Sequence, residues 1–93
     1  MIQSIKHKGL RNFAESGNTV GIPQQFSRRL KMILTALSTA TCIGDMMDIR
    51  ALHCHPLKGD RDGEYAVEVN GNWRVTFKME DPNTFDVDLE DYH

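Results

Sequence analysis

The chain has 93 residues, 40% of them hydrophobic and 26% charged, with a net charge of −2. That suits one domain with one modest core, and argues against a disordered chain. No apolar run approaches the roughly 18 residues a membrane span needs, and the opening MIQSIKHKGL lacks the apolar stretch of a signal peptide, so a cytoplasmic location is expected.

The charge is unevenly placed. Residues 1–31 carry Lys6, Lys8, Arg11, Arg28, Arg29 and Lys31 against Glu15 alone, a net of +5. Residues 64–93 carry Arg74 and Lys78 against eight acids, a net of −6. Such asymmetry fits either a polyanionic partner at one end or two solvated faces that differ. Cys42 and Cys54 are too few for a disulfide framework and are expected as free thiols.

In chain order, Ile2–Lys6 reads as a short first strand, with Ile2 and Ser4 on one face and Gln3 and Ile5 on the other. His7 is read as a solvated strand-end residue. Leu10–Ser16 reads as a short helix stopped by Gly17. SGNTVGIP is a loop, and Pro23 stands where a helix can begin. Phe26, Leu30, Ile33, Leu34 and Leu37 then form one apolar helical stripe, with Arg28, Arg29 and Lys31 off it. ATCIGDMMDIR allows at most one further helical turn, with Met46 and Met47 as core filler.

From residue 50 the period changes to two. Arg50–His55 reads as a strand halted by Pro56, with Cys54 as a small buried hydrophobe. LKGDRDGE is a polar turn. Tyr65, Val67 and Val69, then Trp73, Val75, Phe77 and Met79, then Phe85, Val87 and Leu89 alternate as in an antiparallel sheet packed on one face. Trp73 is read as core.

Parity fixes the register. A two-residue Asn70-Gly71 hairpin would put the two apolar sets on opposite faces. A three-residue loop, Asn70–Asn72, pairs Val69 with Trp73, Val67 with Val75 and Tyr65 with Phe77, with Gly71 or Asn72 left-handed. The same reasoning pairs Val75 with Leu89 and Phe77 with Val87. On the opposite face Arg74 then lies between Glu68 and Glu90, and Lys78 meets Asp86. The strand that runs into Glu90-Asp91-Tyr92-His93 is expected to be held by its neighbour, which would fix the groups it carries.

His55, Lys58 and Arg61 flank the loop after the second strand, Arg74 projects from the fourth, and Asp91, Tyr92 and His93 close the fifth. Imidazole, phenol, carboxylate and fixed cations suit RNA cleavage: a base takes the ribose 2′-OH proton, cations hold the phosphate, and an acid protonates the leaving 5′-oxygen. Tyr92 or Tyr65 offers a stacking surface for single-stranded RNA. Without that chemistry, Arg74 between two glutamates is a plain cross-strand ion network. His53, Cys54 and His55 are adjacent, but alternation sets Cys54 on the other face, which disfavours a zinc site. GDRDG lacks the later glutamate of a calcium loop.

HPLKGDRDGEYAVEVNGNWRVTF, followed by EDYH and preceded by the MIQSIKHKGL start, resembles the HigB toxins, the host-inhibition-of-growth branch of the RelE/ParE superfamily, over nearly all of residues 1–93. The resemblance implies a single α+β, RelE-like domain: strand, two helices, then strands, in a twisted, mainly antiparallel sheet with two helices packed on one face. It implies a toxin of a type II toxin–antitoxin system, a ribosome-dependent mRNA endoribonuclease cutting in the A site without metal or other cofactor. The implied partners are a HigA-type helix-turn-helix antitoxin, through which alone operator DNA would be met, and the 70S ribosome with its mRNA.

By the same resemblance His55 and His93 are the proton-transfer groups, with the roles of base and acid open between them. Tyr92 stacks or assists proton transfer, Asp91 orients or tunes an imidazole, and Lys58 and Arg74, with Arg61, hold RNA phosphate. The chain departs from the basic habit of such toxins: its pI is about 6.0, and Glu68, Asp86, Asp88 and Glu90 are expected on the RNA-facing side. Lys6, Lys8, Arg28, Arg29 and Lys31 are the candidate ribosome contacts. Two rivals stand beside this reading: a ParE-like protein that poisons DNA gyrase, and an inactive relative acting only in autoregulation with its antitoxin.

Overall fold

The computed structural model describes residues 1–91; the expectations placed on Tyr92 and His93 lie outside the described residues. Three α-helical segments precede a four-stranded antiparallel sheet. They are α1 (Lys8–Ser16), α2 (Ser27–Thr39) and α3 (Ile43–Met47), followed by β1 (His55–Pro56), β2 (Glu64–Glu68), β3 (Trp73–Glu80) and β4 (Asn83–Asp91), with spatial order β1-β2-β3-β4. The α+β expectation holds, with one short helix more than expected.

Local chemistry explains the helix ends. His7 is no solvated bystander: its Nδ1 accepts the Leu10 N–H at 3.0 Å, so an imidazole caps α1. Gly17 ends the helix at φ 78°, a conformation open to glycine, and its N–H reaches the Phe13 carbonyl. After Pro23, a 3₁₀ turn at Gln24–Phe26 leads into α2. The predicted stripe is the buried one: Leu30, Ile33, Leu34 and Leu37 meet Val67, Val75, Phe77, Val87 and Leu89 of the sheet. Each such fully buried side chain contributes about 1.5–3 kcal/mol from removal of apolar surface from water. Phe26 stacks at a tilt on Trp73, ring centres 6.4 Å apart, at the rim of this core.

The turn between β2 and β3 has the expected register, Val67 opposite Val75 and Tyr65 opposite Phe77. Its mechanism differs. Neither Gly71 nor Asn72 is left-handed; instead the Asn70 Oδ1 accepts the N–H groups of Asn72 and Trp73, both at 2.9 Å. A side-chain acceptor does here what positive φ does in other hairpins.

Between β3 and β4 the register follows expectation from Trp73–Asp91 to Thr76–Asp88 and then slips. Lys78 pairs with Phe85, so Asp86 and Val87 together oppose Phe77, and Phe77 does not pair with Val87 alone. Asp86 sits at φ 54°, as a bulged residue does. The slip rotates the start of β4. Thr84, not Phe85, faces the core and is fully buried. The Lys78–Asp86 contact survives at 3.7 Å as a side-chain ion pair rather than a cross-strand partner.

The bulge is matched by the N-terminal segment. Residues 2–6 form no regular strand but run parallel to β4, bridging Ile2 to Thr84 and Ile5 to Val87. Both segments have two residues between their bridged positions. Ser4 fills the gap, its Oγ accepting the Asp86 N–H at 2.8 Å and its carbonyl the Val87 N–H at 3.1 Å. Ile2 and Ile5 therefore both pack on the core, contrary to strict alternation.

The expected strand at Arg50–His55 is mostly absent. Arg50–Leu52 is a 3₁₀ turn, His53 is left-handed at φ 50°, and the strand is only His55–Pro56, with Pro56 inside it. Pro56 is tolerated because β1 is the edge of the sheet. Met46 is core as expected, whereas Met47 is exposed.

Candidate active site

The helices cover one face of the sheet. The other face is built from outward-pointing residues in register rows. One row runs His55, Ala66, Thr76, Asp88 across β1 to β4. The next runs Glu68, Arg74, Glu90, and His53 extends it, its Nε2 lying 3.7 Å from Glu68 Oε2. Imidazole, carboxylate, guanidinium and carboxylate thus alternate along one line. Trp73 and Asp91, one residue along, pair on the opposite, helix-covered side of the sheet.

His55 and Arg74 share this face, two strands and two residues apart, roughly 12 Å between Cα positions by ideal sheet spacing. His55 is exposed, with Nδ1 2.9 Å from the His53 carbonyl. That contact favours a proton on Nδ1 and leaves Nε2 directed away from it to accept or deliver a proton. Lys58 is exposed at the start of the Gly59–Arg61 turn. Arg74 is mostly buried, with Nη2 3.6 Å from Glu90 Oε1. Asp91 is exposed at the end of β4, opposite Trp73. The structure therefore brings His55 and Arg74 to one surface with Lys58 beside it, whereas Asp91, in register with the core-packed Trp73, lies by alternation on the other side of the sheet; Tyr92 and His93 fall outside the described residues.

Arg61 does something the sequence did not announce. It was expected to meet RNA phosphate. Instead its guanidinium donates to Glu64 from Nε at 3.1 Å and Nη2 at 2.8 Å, and to Glu90 from Nη1 and Nη2, each at 2.6 Å. The Thr76 hydroxyl donates to the same Glu90 carboxylate. This network spans the outer face from the loop after β1 to β4. With it in place, Ala66 and Thr76 are buried on a face that no helix covers.

The electrostatics follow from those bonds. Arg61 holds the Glu90 carboxyl down at about 2, against burial that pushes it up, with help from Thr76. Glu64 is lowered by the same guanidinium, and Arg61 itself is raised further into its charged form by the two carboxylates. Of the acids expected to repel RNA, Glu90 is thus engaged from within the face. Burial pushes the half-buried Cys54 thiol up to about 11, which makes it a poor nucleophile. Among the described residues no three His, Cys, Asp or Glu side chains cluster as metal ligands.

The basic N-terminal set divides. Lys6, Lys8, Arg28 and Lys31 are exposed. Arg29 is committed to the fold, donating to the Glu68 carbonyl at 2.9 and 2.8 Å and the Ala51 carbonyl at 2.6 Å, which ties α2 to the sheet. It is a brace rather than a spare cation.

Residues 3–93 match the model of a family described as the RelE-like toxin of the type II toxin–antitoxin system HigB. The chain belongs to this HigB-like toxin family. It is 43% identical to the endoribonuclease HigB of Proteus vulgaris, over 93 residues and the full length of both chains. Solved structures with the same fold include YafQ of E. coli strain BL21(DE3), at 16% identity and TM-score 0.62, covering 98% of this chain and 91% of that one. The YoeB/ParE toxin of Agrobacterium tumefaciens aligns at 14% identity and TM-score 0.60, covering 100% and 99%. At such identities these two likenesses speak for the RelE-like fold alone. Among the described residues no helix is long and apolar enough to cross a membrane.

Proposed function

We propose that this HigB-like toxin is an endoribonuclease that cuts mRNA in the ribosomal A site, without a metal, and is held in check by a HigA-type helix-turn-helix antitoxin. The observation that carries the activity is the full-length 43% identity to an endoribonuclease HigB. Its chemistry is supported by an exposed imidazole at His55 on the same outer face as Arg74, with Lys58 close by in sequence.

In the proposed reaction one imidazole, His55 or His93, takes the 2′-OH proton, and the oxygen attacks the adjacent phosphorus. The other imidazole protonates the departing 5′-oxygen, so the proton count balances and a 2′,3′-cyclic phosphate results. Lys58 and Arg74 stabilise the charge that builds on the phosphate oxygens. Asp91 orients an imidazole, and Tyr92 stacks on a base or assists the transfer. Lys6, Lys8, Arg28 and Lys31 supply sequence-independent attraction to ribosomal RNA.

The test is purified protein with a defined mRNA, with and without ribosomes stalled on a known codon. Cutting at the A-site codon only when ribosomes are present supports the proposal. Equal cutting of naked mRNA contradicts the ribosome dependence. No cutting in either arm, together with loss of gyrase supercoiling, would move the protein to the gyrase-poisoning reading.

A further inference from the structure

We infer that Arg61 is a positioning residue for the RNA-cutting face, acting through Glu64 and Glu90 rather than by touching RNA. The inference rests on the proposed nuclease reading. Three observations carry it. First, the guanidinium is largely committed: Nε, Nη1 and Nη2 make four hydrogen bonds to two carboxylates between 2.6 and 3.1 Å, using four of its five N–H donors. A bidentate grip on a phosphate would have to displace one of them.

Second, the bonds join the two stretches that bring the candidate groups together. Arg61 ends the turn that begins beside Lys58 and follows His55 by six residues of chain. Glu90 is directly opposite Arg74 and precedes Asp91, Tyr92 and His93. Outside its own 3₁₀ segment, the turn's described backbone bonds are Leu57 N–H to the Glu64 carbonyl and Asp62 N–H to the Gly59 carbonyl. Third, the clamp offsets one of the two negative charges of Glu64 and Glu90 on a face that must admit a polyanion. Glu90 accepts from Arg61 and Thr76 together, so its charge is held inside the network rather than presented to RNA.

A planar fork can grip two carboxylates at fixed angles; a lysine ammonium is a point charge and cannot. Lysine does, however, serve well as a phosphate contact. Arg61→Lys therefore separates positioning from direct binding.

The experiment measures mRNA cutting on ribosomes at saturating protein, along with the half-saturating protein concentration, for wild type, Arg61→Lys, Arg61→Gln and Glu90→Gln. Amide hydrogen exchange at residues 57–62 is followed in each. The expected result is a cutting rate at saturation reduced tenfold or more in both Arg61 variants and in Glu90→Gln. Half-saturation should stay within about twofold, and exchange at Asp62 should be faster in all three. Glu90→Gln keeps the test decisive should either Arg61 variant fail to fold. A lysine variant that cuts within twofold of wild type, beside a glutamine variant impaired mainly in half-saturation, would overturn the inference in favour of direct phosphate contact. Folded variants that all cut like wild type would overturn it as well. A wild type that does not cut at all would instead sink the nuclease reading, and the exchange data would still show whether the clamp orders the turn.

Discussion

The guanidinium of Arg61 holds the Glu90 carboxylate through two hydrogen bonds of 2.6 Å, closing a gap of 29 residues in the chain. Glu90 in the folded protein titrates near 2 against an ordinary 4.5, chiefly because of those bonds. Its stabilisation is therefore complete above about pH 4.5 and drains away as pH falls towards 2. Glu64 acts in the same direction. Since the pair is partly open to water, its worth is on the order of 1–3 kcal/mol. Arg61→Gln should lower stability at neutral pH by that amount and flatten the loss between pH 5 and 2. Urea midpoints measured across that range check both.

Asp86 occupies a left-handed conformation, at φ 54°, within the β4 bulge. A β-branched side chain there meets a steric penalty that glycine does not. Asp86→Val should destabilise the fold by roughly 1–2 kcal/mol, while Asp86→Gly should stay close to wild type, because the conformational relief offsets the lost contacts with Ser4 and Lys78. Thermal unfolding of the two variants gives the comparison.

The imidazole of His7 caps α1 by accepting the Leu10 N–H. His7→Ala should cost about 1 kcal/mol, and His7→Ser or His7→Asp should recover it, since both side chains accept the same bond. Denaturant midpoints at constant slope decide the matter.

For the site itself, Lys58→Ala and Arg74→Ala should each slow growth inhibition on induction, and Tyr92→Ala should abolish it. Loss of a charge-stabilising donor costs about 10²–10³ in rate. Cutting on ribosomes and circular dichroism of the purified variants, read together, separate lost chemistry from lost fold.

Much of this architecture is legible in the residues. The Phe26–Leu37 stripe, the Gly17 stop and the parity of Val67, Val75 and Leu89 suffice to place α2, end α1 and set the central register. The misses have one physical origin: alternation assumes a regular ladder. The β4 bulge breaks it at Asp86, and Ser4 breaks it in parallel, so that Thr84 is buried in place of Phe85 and Ile2 and Ile5 both pack on the core, which counting by twos does not allow. Around Arg50–His55 the apolar pattern suggests a strand, but Leu52 is buried from a 3₁₀ turn.

Around the candidate site the register was legible but the wiring was not. Arg74 lies between Glu68 and Glu90 as the register argument has it, and His55 shares that face. Arg61 and Arg29 looked like free cations because sequence spacing shows no long-range partner. Glu64, three residues after Arg61, was the one local hint. The Glu90 and Glu68 ends of these contacts lie 29 and 39 residues away and depend on the finished sheet.

The most direct measurement is induction of the chain in a bacterial cell, followed by transcriptome-wide mapping of mRNA 5′ ends, for wild type and for the His55→Ala, His93→Ala double variant. We expect wild type to generate new 5′ ends within reading frames, at a fixed phase to the codon, and the double variant to generate none. New ends that persist in the double variant, or growth arrest by wild type without any, would contradict cleavage by these imidazoles.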